Sequence, residues 1–259
     1  MKLSVLTENT ASQYFLAEHG LSYFIEFDGK KIVFDTGASD VFLKNARKLN
    51  ININEANVIV LSHGHWDHGN GLKYIKNKPL LCHPDVFIKR FRKGEDKNIG
   101  LDLSYEEITN KFSLITSKEP YYITPDIIFL GEIPRLNNFE AQKTTFMTEN
   151  GNDDFVLDDS ALAIIKDDEL IIVSACSHSG ICNITEYAKK ITGLNTVKAI
   201  IGGFHLKYQD IQTKKTIEYF KKNKVENLLP SHCTQLPALA AFYEIFKINH
   251  VKSGMIFKF

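Results

Sequence analysis

Residues 61–71 read LSHGHWDHGNG, and the run leading into them, ANVIVLS (56–62), is apolar. Three histidines and one aspartate fall within six residues, His63 to His68. His63 and His65 stand at i and i+2. Just past a strand, alternate residues face the same side, so both imidazoles can address one ion. Asp67 and His68 are adjacent and can turn toward a second ion. Neutral imidazole suits zinc, iron, nickel or copper, while carboxylate oxygen also accepts harder ions. Two ions a few ångströms apart can share a hydroxide and clamp a hydrolytic transition state. The glycines fit this use: Gly64 lets the loop turn tightly, and Gly69 and Gly71 allow close backbone approach. The competing reading is a His-rich surface loop, but no core or cap requires this composition.

Around the cluster the chain alternates strands and helices. SYFIEF and KIVFDTG flank Asp28-Gly29, a strong hairpin signal. SDVFLKNARKLN carries Val41, Leu43, Ala46 and Leu49 at helical spacing, with Ser39 or Asp40 as N-cap. GLKYIKN reads as the start of a helix and LLCHP as a short strand. In the second half, ALAIIKDDELIIVSAC is a hairpin around Lys166-Asp167-Asp168-Glu169. ICNITEYAKKITG, TKKTIEYFKKN and LPALAAFYEIF are helical. VKAIIGG, VENLLPSHC and VKSGMIFKF are strands. Two β-rich halves with helices point to an α/β fold of two facing mixed sheets with helices outside, an αββα sandwich, rather than one parallel sheet. The expected organisation is a single domain over 1–259, with an insert or cover region around 85–155. Within that region, SYEEITNKF is helical, PDIIFLGEIPR is a strand, and NNFEAQKTTFMTENGNDDF is a long loop of the kind that covers a site.

With 31 Lys plus Arg against 31 Asp plus Glu, the formal charge is zero, so no global field recruits nucleic acid or an anionic membrane. KRFRK (89–93) is a local basic patch. The four cysteines, Cys82, Cys176, Cys182 and Cys233, are too few and scattered for a disulfide scaffold. The N-terminus lacks the apolar core of a signal peptide, and no apolar run reaches bilayer length. The expectation is a cytoplasmic protein acting on a small molecule, with neither nucleic acid nor membrane as partner. A homo-oligomer is compatible with the sequence.

SHGHWDH has the H-x-H-x-D-H pattern of the metallo-β-lactamase superfamily, and the chain resembles that superfamily along nearly its whole length. IVFDTG resembles its strand with a buried supporting aspartate, here Asp35. EHGLS, SHGHWDHGNGL, GEIPR, CSHSGICNI, GGFHL and SHC resemble one branch, that of dihydropterin-6-methyl-4-(β-ribofuranosyl)aminobenzene-phosphate synthase. The resemblance implies His232, in the exit turn after ENLLP, as the last metal histidine. His178, close behind LIIVSAC, is a further ligand candidate. Here the chain departs from the common pattern. Asp159 stands where a histidine is expected before the hairpin, and Cys176 stands where a bridging aspartate is expected after it. Either the Cys176 thiolate ligates, or Cys176 is a buried small residue and His178 reaches in. The second is preferred, because a single apolar-flanked cysteine is more often inert packing. The metal set is therefore His63, His65, Asp67, His68, His178 and His232, with Asp67 also catalytic. The cofactor is two divalent ions, zinc first, with manganese or iron as alternatives.

Arg135 ends a strand before the long loop and can fork onto a phosphate or carboxylate. His205, at the end of VKAIIGG, is a substrate contact or a ligand. His19 is a weaker candidate for the pocket. Trp66 either floors the pocket or packs under the loop. His83 and His250 read as structural. The function expected is a hydrolase using metal-activated water on an ester-like, phosphodiester or lactone-like substrate, which can carry phosphate. The alternative, by resemblance, is a synthase-type transferase condensing a dihydropterin with a ribofuranosylaminobenzene phosphate. A redox role is disfavoured, because diiron members of the superfamily usually carry glutamate where His65 stands.

Overall fold

The computed structural model describes residues 1–259. The chain divides into two compact units: 1–118 with 144–154 and 252–259, and 119–143 with 155–251. The first unit opens with β1 (Lys2–Thr7), β2 (Ser22–Phe27), β3 (Lys30–Phe34), helix α1 (Val41–Lys48) and β4 (Val58–Val60). It continues through the one-turn helix α2 (Trp66–Gly69), β5 (Pro79–Cys82), β6 (Arg90–Arg92), α3 (Tyr105–Lys111) and β7 (Ser113–Thr116). The chain then enters the second unit with β8 (Tyr121–Thr124) and β9 (Ile127–Phe129). It returns to the first for β10 (Phe146–Thr148) and β11 (Asp153–Asp154). The second unit is completed by β12 (Leu162–Lys166), β13 (Glu169–Val173), α4 (Ile181–Thr192), β14 (Val197–Gly203), α5 (Ile211–Asn223), β15 (Asn227–Ser231) and α6 (Leu236–Phe246). β16 (Ile256–Lys258) closes the first unit.

Each unit has a mixed sheet built the same way. In the first, the order is β16-β1-β2-β3-β4-β5-β7, antiparallel from β16 to β3 and parallel from β3 to β7. In the second, the order is β15-β14-β13-β12-β9-β8, parallel from β15 to β13 and antiparallel beyond. The hairpins are the expected ones. Asp28 and Gly29 both have positive φ, as do Asp167 and Asp168. Two left-handed residues in a two-residue loop make the twist-matched hairpin turn. The crossovers between parallel strands are long because such strands cannot be joined by a tight turn.

Separate apolar clusters fill the units: Leu6, Phe24, Val33, Phe42 and Ile59 in the first, and Leu130, Ile172, Ile200, Phe220 and Phe242 in the second. α1 forms where the periodicity places it, but the buried face is Phe42, Asn45 and Ala46. Asn45 decides the rotation: its amide donates to Leu6 O and Leu16 O at 2.7 and 2.8 Å and accepts from Leu16 N. Three hydrogen bonds outweigh an apolar face that still packs Leu43 and Leu49 partly.

Two local expectations differ. GLKYIKN is a single turn of 3-10 helix, Asn70–Tyr74, rather than the start of a longer helix. NNFEAQKTTFMTENGNDDF is not structureless: β10 pairs with β11 and with β6 as a three-stranded sheet. Charge explains part of that. Lys89, Arg90 and Lys93 of the basic run pair with Glu149, Asp154 and Asp153, so the basic patch is largely neutralised within its own unit.

Candidate metal centre

In the first unit, β4 delivers Ser62 and His63 beside β3, whose end carries Asp35. The Asp35 carboxylate is fully buried and takes three donors: Ser62 N at 2.8 Å, Ser62 Oγ at 2.7 Å, and His68 Nδ1 at 2.7 Å. This orients the His68 ring so that its Nε2 lies 3.7 Å from Asp67 Oδ2. Ser62 Oγ also meets His63 Nδ1 at 2.9 Å, so His63 Nε2 is turned the other way, to 3.0 Å from His65 Nδ1. Two imidazole nitrogens converge on one point, and an imidazole–carboxylate pair converges on another. Each ring of the two whose outer nitrogen is held, His63 and His68, is fixed from behind by a hydroxyl or carboxylate, as metal-ligating histidines usually are.

Electrostatics fit the same reading. Burial pushes His63 well below the usual imidazole value, the charges of His68, His65 and Arg90 push it the same way, and Asp67 opposes them. That direction favours the neutral ring, the form that binds metal. These donors suit zinc and other imidazole-binding divalent ions.

The backbone is tied tightly around the cluster. Thr36 N donates to His68 O at 2.8 Å, Leu21 N to Asp67 O at 3.2 Å and Gly71 N to Gly37 O at 3.0 Å. A Cβ on Gly64 would sit 2.0 Å from Val86 O, and one on Gly71 would sit 2.1 Å from Thr36 O. His19 joins the cluster, with Nε2 3.2 Å from Asp67 Oδ2 and its ring 5.6 Å from Trp66. The only sign of His19 in the sequence is its place in EHGLS. Trp66 packs between His19 and Lys97. His83 accepts from Asp85 N and caps a short turn.

In the second unit, β13, β14 and β15 are parallel neighbours, and the turns at their C-terminal ends carry Cys176, His178, His205, His232 and Cys233. Ser177, His205 and His232 all have left-handed backbones, as Asp35 does in the first unit. Such conformations cost about 1–3 kcal/mol each in residues other than glycine and gather at functional sites. The His178 and His205 rings meet at a tilt of 48°, with centroids 4.3 Å apart. Asp159 accepts from Ser179 N and Oγ at 2.9 and 2.5 Å, which anchors the turn bearing His178. Burial raises the Asp159 carboxyl, and the Ser179 hydrogen bonds and Arg135 work against that. Arg135 donates from Nη1 to Ile133 O and from Nη2 to Phe155 O, both at 2.9 Å. Cys176 is buried, and Cys233 is half-buried. Burial works to raise the Cys233 thiol, but hydrogen bonds with Cys176 and His205 and the charges of His205 and His232 hold it well below the ordinary thiol value.

Two mixed sheets and an imidazole–carboxylate donor set at strand ends define the class of α/β protein to which the comparisons point. The chain belongs to the metallo-β-lactamase superfamily. The model of that superfamily matches residues 17–80. Tm1679, described as a metal-dependent hydrolase of the beta-lactamase superfamily, superposes with a TM-score of 0.90 at 29% identity, covering 100% of this chain and 99% of its own. The expected fold is thus the one found. The 7,8-dihydropterin-6-methyl-4-(beta-D-ribofuranosyl)-aminobenzene-5'-phosphate synthase of Methanocaldococcus jannaschii is 36% identical, over 100% of this chain and 97% of its own length. The uncharacterized protein MJ0448 of the same organism is 34% identical, over 96% of this chain and 97% of its own length. No helix is long and apolar enough to cross a membrane.

Proposed function

We propose that the chain is a metal-dependent hydrolase of small molecules with an ester-like, phosphodiester or lactone-like centre. The observation that carries this reading is the convergence of His63 Nε2 on His65 Nδ1 and of Asp67 Oδ2 on His68 Nε2, braced by Ser62 and Asp35. His63 and His65 would hold one divalent ion, and Asp67 and His68 a second. His178 and His232 would add one further ligand each, and zinc is the first choice. Such ions, when bound, lower the pKa of water and stabilise charge on an oxygen that is being displaced. Asp67 orients the attacking water and takes its proton, and His19 holds the Asp67 carboxylate from the solvent side. Asp35 keeps His68 in the tautomer whose Nε2 carries the lone pair. Arg135, whose Nη1 and Nη2 each donate to a main-chain carbonyl, would offer its remaining donors to an anionic substrate. His205, the other substrate-side candidate, lies with its ring tilted against that of His178. We take the whole of 1–259 to act as one catalytic domain in the cytoplasm, with 85–155 contributing the substrate wall.

Asp67→Asn in the metal-replete protein should abolish turnover across a panel of phosphodiesters, phosphonates and lactones. Unchanged activity would remove Asp67 from the role given to it.

The 36% identity to the synthase favours a second reading. In that reading the same centre serves a transferase that joins a dihydropterin, activated as its diphosphate ester, to a ribofuranosylaminobenzene phosphate, with pyrophosphate leaving. Incubation with that substrate pair separates the two: a coupled pterin product supports the transferase, and its absence alongside turnover in the panel supports the hydrolase.

A further inference from the structure

We propose that Cys176, His205 and Cys233 form a cation site of their own, taking one zinc ion on two thiolates and one imidazole. Topology brings them together. Cys176 lies three residues past the end of β13, His205 two past β14 and Cys233 two past β15, and these strands are parallel neighbours. The sulfur and nitrogen donor atoms all lie within 4.8 Å of one another. A tetrahedral ion with Zn–S of about 2.3 Å and Zn–N of about 2.0–2.1 Å sets its ligands roughly 3.5–3.8 Å apart. Small side-chain rotations close the remaining gap.

The three turns are stitched together. Gly203 N donates to Ala175 O at 2.8 Å, Ser177 Oγ to Gly203 O at 2.6 Å, Phe204 N to Thr234 Oγ1 at 2.9 Å and Gln235 N to Leu206 O at 2.9 Å. Space is reserved for the second sulfur, since a Cβ on Gly203 would stand 2.5 Å from Cys233 Sγ. His205 Nδ1 is buried with no hydrogen-bond partner. An orphaned buried nitrogen in a native site calls for a group to satisfy it. His205 and Cys233 are only half-buried, so an ion has a way in. Two sulfurs and an imidazole select a thiophilic ion over manganese or magnesium. The other cysteines lack this setting: Cys182 lies in the apolar core of the second unit and Cys82 in that of the first. Its three ligands are not among the six side chains proposed above for the pair of ions.

The test is a titration of the full chain carrying His63→Ala and His65→Ala with cadmium, read by thiolate-to-metal charge-transfer absorption. The expected result is a band saturating at one equivalent, weakened by Cys233→Ser and lost when Cys176→Ser is added. No band, or a band indifferent to Cys233→Ser, overturns the site. X-ray absorption at the zinc edge of the unaltered protein, loaded with zinc, requires no variant to fold. Sulfur neighbours at about 2.3 Å support the site, and a shell of nitrogen and oxygen alone overturns it.

Discussion

At the scale of single residues, the heaviest structural duty falls on Asp35, which need not touch metal at all. It receives Ser62 N, Ser62 Oγ and His68 Nδ1, and Ser62 in turn holds His63. Asp35→Asn replaces an acceptor with a donor in the middle of that chain. Losing such a partner costs roughly 10–100-fold in metal affinity. Competition against a chelator should read a loss of that size, with circular dichroism unchanged. Asp67→Asn, by contrast, acts on turnover itself. The cluster's donors were legible in the sequence because spacing alone puts His63 and His65 on one side of a strand exit. The braces were less so. Asp35 was visible only through the resemblance of IVFDTG, and nothing local marked Ser62 as the link between Asp35 and His63.

At the scale of elements, glycines and one buried carboxylate position the turns. Gly64 passes so close to Val86 that an alanine there needs backbone movement. Gly64→Ala should destabilise by about 1–3 kcal/mol, the usual cost of overpacking, read as a shifted denaturation midpoint. α4 begins at Gly180 without a side-chain cap of its own. Glu140, from a distant loop, accepts from Cys182 N and Asn183 N, both at 3.0 Å. Glu140→Ala orphans both amides and should cost about 2–3 kcal/mol. Burial raises the Glu140 carboxyl above its ordinary value of 4.5, while those hydrogen bonds and Asn137 hold it down in part. A raised folded-state value means its contribution is complete below pH 4.5 and is lost as pH rises through the raised value. Denaturation midpoints of wild type and Glu140→Gln, compared across that window, should therefore converge or cross in favour of the glutamine as pH rises. The sequence showed this region only as a long loop. A run rich in Asn, Thr and acidic residues has no periodicity, and its short strands exist because β6 and the lysines and arginine around it are there to pair with.

At the scale of the whole molecule, hairpins and helices were readable from period and turn chemistry, and the two halves with mixed sheets followed from their alternation. What the order of elements could not show was convergence. Cys176, His205 and Cys233 are separated by long stretches of chain and meet only because three strands run parallel in one sheet. By sequence alone Cys176 is either a ligand or, by preference, inert packing, and Cys233 is only one of four scattered cysteines and the last residue of SHC. The superfamily match and the bracing of the cluster concern a site for ions, not a named substrate. What is proposed, then, is that His63, His65, Asp67, His68, His178 and His232 would hold two ions. Anomalous X-ray scattering from crystals of the metal-replete protein tests it most directly. One ion is expected about 2.0–2.2 Å from ring nitrogens of His63 and His65, a second at that distance from Asp67 and His68, and one further bond each from His178 and His232. A single ion at the cluster, or two ions with His178 and His232 both unbonded, would contradict it.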